Sequence, residues 1–508
     1  MDKKQSIIIS VCDDRPAFER ALQSCRQLSP YEIIVVAHPA CEQSIKAAAK
    51  YACRVIPCHD LETHKGHALG AKEATGDILL FVPSDVAITA GTLKKFLQPL
   101  IEGTADVAIN KMDYWFYKKG QPQEAVVFPQ MTNQFFRRPD LKMDSTVFVP
   151  YAMTKEVVDK IHADNLAHPV IAYFKMIQYS FRIVNQLPIG DVSMYLKKMA
   201  ETNGPARSIS EKRMIDYHLE AISFWIKQSG DPRGGHFDGG RRRDIVEGLK
   251  SHGVRTGPNI IPGWGHQPEN DEENRLSIII PAQNEAKVIG FIIEECRKLE
   301  PFEIIVVANG STDKTEKVAR QYGATVIVYK QKLGHDVGRA VGAYFASGDI
   351  LLFMDGDFVI PAVDLFPFVH AVERGVDVAL NDLNHYLTSR TPLHIVTACK
   401  YAINVACGRK DLGAGSTVAV PHALSKKCVE QIGFEALATP VYAQIQAILN
   451  GHIVQNVHRI EVDKMNRTRP SQHFSKKKGE LAPTTSLIIG DHIEAFFHLA
   501  NHCQKSSS

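Results

Sequence analysis

The chain repeats one long pattern, and this repeat constrains its fold more than any other feature. The letters SIIIS at 6–10 return as SIIIP at 277–281, and GDILLF at 76–81 returns unchanged at 348–353. These offsets of 271 and 272 residues are far longer than the unit of a solenoid repeat. A repeat of this length indicates a duplicated domain, so we expect two similar domains in tandem.

Each copy alternates short apolar runs with stretches of helical pattern. The run EIIVVA occurs at 32–37 and again at 303–308, and it is apolar on both faces. Such runs are typical of strands in a parallel sheet that helices cover on both sides. The predicted fold class is therefore α/β, with two tandem Rossmann-like domains whose sheets are mostly parallel. Ligands of such sheets bind at the carboxyl ends of the strands.

The sequence divides into four predicted segments. They are a first domain at 1–202, a helical linker rich in glycine and arginine at 203–274, a second domain at 275–490 and a tail at 491–508. The linker contains three consecutive arginines at 241–243. We interpret them as a solvated charge run rather than a grip for phosphate.

Composition and charge exclude several classes of partner. A net charge of +3 over 508 residues gives no electrostatic reason to expect nucleic acid. No apolar run reaches the roughly 18 residues that a membrane helix needs, so no integral membrane segment is expected. The ten cysteines form no CxxC pair, which favours reduced thiols over a zinc site. We expect a cytoplasmic protein, and peripheral attachment to a membrane stays compatible with this.

Polar clusters follow three apolar runs of the second copy. They are PAQNE at 281–285, NGSTD at 309–313 and DGD at 355–357. Alternate aspartates beyond a strand, here Asp355 and Asp357, can turn two carboxylates towards one ligand. Their oxygens suit Mg²⁺ or Mn²⁺. A divalent cation at this place would neutralise the charge that develops on a departing diphosphate.

The order of these clusters, together with LGHDVGRAVGAYFASGD at 333–349, resembles the family 2 glycosyltransferases of the GT-A type. The resemblance implies an enzyme that moves a sugar from a nucleotide diphospho-sugar, with UDP as the expected nucleotide. The implied acceptor is a glycan, a small molecule or a lipid-linked phosphate. The implied cofactor is Mn²⁺ or Mg²⁺ on Asp355 and Asp357, and Asp357 is also assigned to catalysis.

The same resemblance implies a nucleotide-sugar site in the second copy. Its residues are Pro281, Ala282, Asn284, Glu285, Asn309, Gly310, Gly334, His335, Arg339, Asp349, Asp355 and Gly356. Two positions depart from the family pattern, because Asn309 stands where aspartate is common and His335 stands where lysine is common. The contact with the nucleoside and the charge of the cleft are therefore expected to differ from those of the family.

The general base cannot be assigned from the family pattern, because the acidic pair of inverting members is missing from GFEALATPVYAQ at 433–444. Three explanations stay open. Glu435 or Asp411 acts as the base, the acceptor is a phosphate that needs no deprotonation, or the reaction retains configuration as in the glucosyl-3-phosphoglycerate synthases. The segment 462–470 resembles those synthases, and by this resemblance His458 is a candidate third metal ligand.

The first copy lacks the features that carry this chemistry. Pro83 replaces the first aspartate of the pair and Asp85 remains, so we expect a degenerate domain without a metal. Its aromatic run at 113–119 is a candidate platform for sugar rings. Two other functions stay open: a non-catalytic scaffold that binds sugar nucleotides or glycans, and a sugar-phosphate nucleotidyltransferase. The cluster PAQNE is not the glycine-rich opening that is usual in the latter class.

Overall fold

The computed structural model describes residues 3–112, 124–185, 187–189, 209–252, 258–263, 275–390, 392–466, 469–475 and 480–506. The chain forms two compact units, Met1–Gln228 and Ser229–Ser508, which are called the first and the second unit below. The aromatic run at 113–119 lies outside the described residues.

The first unit is built around one sheet. Its strands are β1 (Gln5–Val11), β2 (Glu32–Ala37), β3 (Arg54–Pro57), β4 (Ile78–Val82), β5 (Val107–Ile109), β6 (Tyr151–Thr154) and β7 (Ile183–Val184). The described strands lie in the order β3-β2-β1-β4-β6-β5-β7, where β1 is parallel to β2 and β4, and β6 is antiparallel to its two neighbours. The helices are α1 (Phe18–Arg26), α2 (Glu42–Lys50), α3 (Thr63–Glu73), α4 (Ala90–Ile101), α5 (Glu124–Phe135), α6 (Lys155–Ile161), α7 (Pro169–Gln178) and α8 (Ile209–Ser229).

The second unit repeats this plan. Its strands are β8 (Asn259–Ile261), β9 (Leu276–Ala282), β10 (Glu303–Asn309), β11 (Thr325–Tyr329), β12 (Ile350–Phe353), β13 (Val378–Asn381), β14 (His422–Ser425) and β15 (Val454–His458). The described strands lie in the order β15-β13-β14-β12-β9-β10-β11-β8. The strands β9 to β12 are parallel to their neighbours within this group, and β14 is antiparallel to β12 and β13.

The helices of the second unit lie on both faces of its sheet. They are α9 (Arg243–His252), α10 (Ile289–Arg297), α11 (Thr315–Gln321), α12 (Val337–Phe345), α13 (Ala362–Glu373), α14 (Tyr386–Ser389), α15 (Ile395–Ala406), α16 (Lys426–Ile432), α17 (Pro440–Leu449), α18 (Val462–Met465), α19 (Pro470–His473) and α20 (Pro483–Ser506). In β9, Ile278 and Ile280 belong to one buried layer, and Ile279 between them belongs to the other. Because successive side chains of a strand point to opposite faces, a strand covered on both sides must be apolar throughout. The predicted tandem α/β architecture is confirmed.

The segments expected to be a linker and a tail contain regular structure. Helices α8 and α9 and strand β8 lie within 203–274, and β8 pairs antiparallel with β11. The cut between the compact units falls between Gln228 and Ser229. Helix α20 crosses the expected boundary at 490 and buries Asp491 and His492. The described parts of both segments are therefore built into the units.

The repeat extends beyond the strand motifs into these helices. YHLEA at 217–221 in α8 matches DHIEA at 491–495 in α20. His218 and His492 stand at the same place of the two motifs and both are fully buried. Each unit therefore includes a long helix with the same short motif. A match of only five residues is difficult to recognise in the sequence alone.

A close contact between a helix and the central strand recurs in both units. A Cβ atom at Gly70 of α3 would lie 2.5 Å from Cγ2 of Ile8, and one at Gly342 of α12 would lie 2.3 Å from Cγ2 of Ile279. Any side chain at these positions would therefore overlap the strand. The two glycines allow each helix to pack directly on a face of its sheet, against the central strand.

Gly342→Ala is expected to destabilise the second unit by about 1–3 kcal/mol, because the buried, β-branched Ile279 has little freedom to move aside. Gly248→Ala in α9 is the matched control, since a Cβ atom there meets nothing within 4 Å. The control should stabilise the helix by about 0.5–1 kcal/mol. Urea unfolding measures both changes, and equal unfolding midpoints for the two variants would contradict the role of this contact.

Candidate functional site

A cleft of about 1010 Å³ opens in the second unit at the carboxyl ends of β9, β10 and β12. Most of the residues predicted from the sequence line it: Pro281, Ala282, Asn284, Glu285, Asn309, Gly334, His335, Arg339, Asp355, Gly356 and Asp357. The structure thus brings the three strand-end clusters to one place. Parallel strands cause this, because their carboxyl ends meet at one edge of the sheet.

Hydrogen bonds tie the loop after β9 to the loop after β10. The Asn284 side-chain oxygen accepts from the backbone N–H of Thr312 at 2.7 Å, and the Asp313 carboxylate accepts from the N–H of Ala286 at 3.1 Å. Burial raises the pKa of Asp313, but hydrogen bonds from Thr315 and Ala286 outweigh this effect and leave the pKa below its usual value. Asp313 therefore stays ionised and holds the two loops together.

Asn309 uses its side-chain amide to hold the loop before α12. Its Nδ2 donates to the carbonyl of Gly334 at 3.1 Å, and its Oδ1 accepts from the N–H of Leu333 at 2.5 Å. Its neighbour Gly310, which is not among the cleft residues, has a φ of 61° and donates its N–H to the carbonyl of Tyr329. The departure from aspartate at position 309 thus supplies both a donor and an acceptor to this loop.

Gly334 and His335 lie against the arginine-rich segment of the same unit. Gly334 has a φ of 83°, and a Cβ atom there would lie 2.2 Å from the carbonyl oxygen of Gly240. The backbone N–H of His335 donates to the carbonyl of Gly239 at 3.1 Å. Only glycine fits at position 334, so this side of the cleft is closed by two backbones in direct contact.

Glycine is also required between the two aspartates of the DGD cluster. A Cβ atom at Gly356 would lie 2.8 Å from the carbonyl oxygen of Pro281 at the end of β9. The side chain of Asp355 is 38% exposed, whereas that of Asp357 is 9% exposed. The two carboxylates therefore lie on either side of the close contact between Gly356 and β9, and Asp355 is the one that remains open to solvent.

Arg469 joins two buried carboxylates in the cleft. Its Nη1 lies 3.1 Å from Oδ2 of Asp357, and its Nη2 donates to Oε1 of Glu285. Burial and the neighbouring Asp355 raise the pKa of Asp357, and Arg469 partly offsets this rise. The acidic corner thus needs a cation, and a guanidinium supplies it here. The sequence prediction did not include Arg469, although the segment 462–470 contains it.

A series of buried ion pairs runs from the cleft to α20. Arg339 lies 3.1 Å from Asp355 and 3.2 Å from Asp336. Asp336 also lies 2.7 Å from Arg241, which in turn lies 2.6 Å from Asp491. The side chain of Arg241 is fully buried, so the interpretation of 241–243 as a solvated charge run is wrong for this residue. Burial raises the pKa of Asp336, but the two arginines keep it below its usual value.

Asp349 lies outside the cleft, which corrects its expected place at the nucleoside. It precedes β12 whereas Asp355 follows this strand, so the two aspartates stand at opposite edges of the sheet. The carboxylate of Asp349 accepts from the backbone N–H of Arg275 at 3.0 Å. Asp77 of the first unit binds the N–H of Lys4 in the same way at 2.8 Å. Asp349 therefore fixes the start of the sheet.

The two candidate bases also lie outside the cleft lining. Glu435 forms an ion pair with Lys250 of α9, and Asp411 lies 2.7 Å from Arg409. Each carboxylate is thus paired with a cation of its own neighbourhood. The structure does not bring either of them to the carboxylate pair, which corrects their expected place in the site.

His458 does not join the aspartates as a third ligand. Its Nε2 lies 3.2 Å from Oδ1 of Asp364. The reason is the strand order, because β15 is three strands away from β12 in the sheet. Within the described ranges, no three His, Cys, Asp or Glu side chains gather in a way that would hold a metal. Of the three predicted metal ligands, the structure therefore brings only Asp355 and Asp357 together in the cleft.

The first unit has neutral side chains where the second has its ion pairs. With an offset of 272 residues, His64, His67 and Pro83 stand at the positions of Asp336, Arg339 and Asp355. Burial lowers the pKa of His64 to about 4, and the His67 ring lies 3.0 Å from the Tyr151 hydroxyl. Burial also keeps the pKa of His67 well below its usual value. The three side chains that replace Asp336, Arg339 and Asp355 in the first unit are thus uncharged at neutral pH.

These features define an α/β domain whose strand-end carboxylates and glycine turns line one cleft, and sequence comparison gives its family. Residues 6–160 and 277–401, one segment in each unit, match glycosyl transferase family 2. Because the two segments make up more than half of the chain, the chain belongs to this family and is a glycosyltransferase. The predicted family and enzyme class are confirmed.

Individual relatives match smaller parts of the chain. The 4,4'-diaponeurosporenoate glycosyltransferase of Staphylococcus aureus (strain USA300) is 38% identical over 94 residues, which is 17% of this chain and 25% of that protein. The chain thus spans about a quarter of this curated relative. Proteins of the same name from the strains Newman and COL match to the same extent.

Solved structures with some similarity include glucosyl-3-phosphoglycerate synthase from Mycobacterium tuberculosis. Its complex with Mn²⁺, UDP and glucosyl-3-phosphoglycerate is 20% identical with a TM-score of 0.30, and the match covers 42% of this chain and 81% of that one. Its complex with phosphoglyceric acid is 15% identical with a TM-score of 0.33, and the match covers 46% of this chain and 83% of that one.

Among the described residues, no helix combines the length and the apolar character that crossing a membrane requires.

Arg241→Met is expected to destabilise the second unit by about 3–5 kcal/mol, because it breaks two buried ion pairs at once and leaves Asp336 and Asp491 with one arginine each. Arg242→Met is the matched control: the adjacent arginine pairs with Asp244 at the surface and is 38% exposed. The control should leave the unfolding midpoint unchanged, because exposed ion pairs contribute little. Thermal or urea unfolding compares the two variants. An Arg241→Met protein as stable as the Arg242→Met protein would refute the structural role of the ion-pair series.

Proposed function

We propose that the second unit transfers a glycosyl group from a nucleotide diphospho-sugar, with UDP as the expected nucleotide, to an acceptor in a metal-assisted reaction. One observation carries the proposal. Asp355 and Asp357 stand in the same cleft as residues 281–285 and Asn309, which lie at the carboxyl ends of β9 and β10. In a parallel sheet this edge is the ligand-binding edge.

The acidic corner fits a divalent cation by its chemistry. Asp355 and Asp357 offer carboxylate oxygens, which Mg²⁺ and Mn²⁺ prefer, and such ions commonly take one or two carboxylates together with substrate phosphates. The raised pKa of Asp357 and its pairing with Arg469 indicate that positive charge stabilises the corner. When bound, the cation would neutralise the charge of the departing diphosphate.

The other residues of the cleft position the substrate. The hydrogen bonds from the N–H of Thr312 to Asn284 and from the N–H of Ala286 to Asp313 fix the two strand-end loops that would hold the nucleoside. Arg339 holds Asp355 in place through one oxygen at 3.1 Å and leaves the other oxygen for a ligand. Fixing the donor beside the acceptor in this way is what raises the rate of a transfer reaction.

The remaining features restrict the proposal further. Glu435 and Asp411 lie outside the cleft lining, which favours the two explanations that need no carboxylate base: an anionic acceptor or retention of configuration. The first unit, with Pro83 and neutral histidines at the equivalent corner, is proposed to keep the sheet without the metal-assisted chemistry. We place the boundary between the two domains at 228 and 229, where the compact units meet in sequence.

Asp357→Asn is expected to lower metal-dependent turnover about 100-fold or more, because the corner loses one of two carboxylates that face the diphosphate. The assay measures nucleoside diphosphate released from a panel of nucleotide sugars with Mn²⁺. Asp85→Asn at the equivalent position of the first unit is the matched control and should retain turnover. Circular dichroism checks that both variants fold. An equal loss of turnover in Asp357→Asn and Asp85→Asn would contradict the assignment of the reaction to the second unit.

Arg469→Met is expected to bind Mn²⁺ more tightly than the wild type when no nucleotide is present, because the guanidinium no longer competes for Asp357. A gain of about tenfold corresponds to about 1.4 kcal/mol. Arg459→Met is the control, since this arginine pairs with Glu461 on the same segment and is 50% exposed. Electron paramagnetic resonance counts free Mn²⁺ in a titration. Unchanged affinity in Arg469→Met would show that the cation does not bind at Asp357.

A further inference from the structure

Lys400 is a buried cation without a partner in the cleft. It belongs to α15, lines the cleft and is 9% exposed. Among the described residues, its ammonium has neither a hydrogen bond nor an ion pair, whereas Asp336, Asp355 and Asp357 are each paired with an arginine. Lysine is almost never buried unless it is paired, so this position calls for an explanation.

The fold itself does not require a lysine at this position. Pro129 occupies the equivalent place of the first unit, at an offset of 271 residues. One turn further along each helix, Asn133 and Asn404 bind equivalent loops of their own units. Asn133 donates to the carbonyl of Asp144, and Asn404 donates to the carbonyls of Gly413 and Gly415 at 3.0 and 2.9 Å. The surrounding framework is therefore the same in the two units, and the lysine is an addition of the second.

Within the described part of the chain, no neighbour supplies a counter-charge to Lys400. Burial lowers its pKa to about 8, and no nearby carboxylate offsets this effect. Burial lowers the pKa of His394 and of His492, and the charge of Lys400 lowers both further, although a hydrogen bond to the Ile488 carbonyl and the nearby Asp491 partly offset this for His492. Both imidazoles are thus neutral at pH 7. The free protein accordingly holds a poorly solvated ammonium that an anion would stabilise.

Lys400 is carried by a different part of the chain from the predicted nucleoside loops. In the sheet, β14 and β13 lie on one side of β12, and β9 and β10 lie on the other. The loops 281–285 and 309–310 follow β9 and β10, whereas α15 comes between β13 and β14 in the chain. Val418 and Val420, which precede β14, line the same cleft. Lys400 thus lines the cleft from an element that does not carry the strand-end loops assigned to the nucleoside, which makes it a candidate for binding the acceptor.

We propose that Lys400 binds an anionic oxygen group, a phosphate or a carboxylate, of the acceptor. The inference rests on the proposed function, because it takes the corner at Asp355 and Asp357 as the place of the donor diphosphate. It adds a substrate class: the acceptor carries a negative charge that pairs with a buried ammonium. Such a pair is strong because both groups are largely withheld from water.

Inorganic phosphate is the probe for this site. Isothermal titration measures its affinity for the full chain saturated with UDP and Mg²⁺, so that the donor diphosphate site is already occupied. Lys400→Met should weaken phosphate binding at least tenfold. Lys427→Met, which removes an exposed lysine of α16 outside the cleft lining, should leave it unchanged. Equal phosphate affinity in the wild type and Lys400→Met overturns the proposal.

Two further readouts separate the possible sources and roles. If saturation with UDP abolishes phosphate binding to the wild type, the anion at Lys400 is the donor diphosphate and the acceptor assignment is overturned. Thermal unfolding of the free protein should show a higher melting temperature for Lys400→Met, because an unpaired buried charge is replaced by an apolar chain of similar length. A lower melting temperature together with unchanged phosphate binding would mean that the lysine is structural.

Failure of the proposed function is distinguishable from failure of this inference. If the wild type binds no UDP with Mg²⁺ or Mn²⁺, the donor assignment falls. Phosphate titration of the nucleotide-free wild type and Lys400→Met then still decides whether the lysine binds an anion. A loss of at least tenfold in that comparison supports an anion site at Lys400, and equal affinities reject it.

Discussion

The structure of the second unit depends on balancing negative charge at one edge of its sheet. Glu285, Asp355 and Asp357 follow two adjacent strands, and the close contact of Gly356 with the end of β9 keeps the carboxylates near one another. Burial and mutual repulsion make such a corner unfavourable without cations. Arg339 and Arg469 supply them, each within 3.1 Å of one aspartate.

The need for charge balance explains how distant parts of the second unit are connected. Arg339 pairs with Asp336, and Arg241 then links Asp336 to Asp491 of α20. These groups are largely withheld from water, so the removal of one would leave its neighbours with fewer opposite charges to balance them. The arginine-rich segment and the last helix are therefore part of the framework of the cleft. The first unit has histidines at the positions of Asp336 and Arg339 and keeps its sheet without this series.

Much of the fold and part of the candidate site were predictable from the sequence. The repeat, the fully apolar runs and the turn residues after them depend on local sequence, and they predicted both sheets and the place of the DGD cluster. The expected place of Asp349 was wrong because this residue precedes β12, whereas the cleft lies at the carboxyl end of that strand. His458, Glu435 and Asp411 were misplaced because their positions depend on strand order and on local ion pairs.

The residues that the sequence did not reveal act over long separations in the chain. Arg469 lies 184 positions from Glu285, and Arg241 lies 250 positions from Asp491. No local pattern marks such pairs. The match between YHLEA and DHIEA was the available signal for α8 and α20, and it is short and separated from the other repeats. Lys400 similarly looks like an ordinary helical lysine until its burial is known.

We propose that a divalent cation on Asp355 and Asp357 takes over the charge balance when a nucleotide diphospho-sugar binds. A crystal structure of the full chain with Mn²⁺ and UDP tests it most directly, with the ion located by anomalous scattering. We expect an ion bound to both aspartates and to the diphosphate, and we expect the guanidinium of Arg469 to have left Asp357. A nucleotide bound without any ion at that corner, with Arg469 still between Asp357 and Glu285, would contradict it.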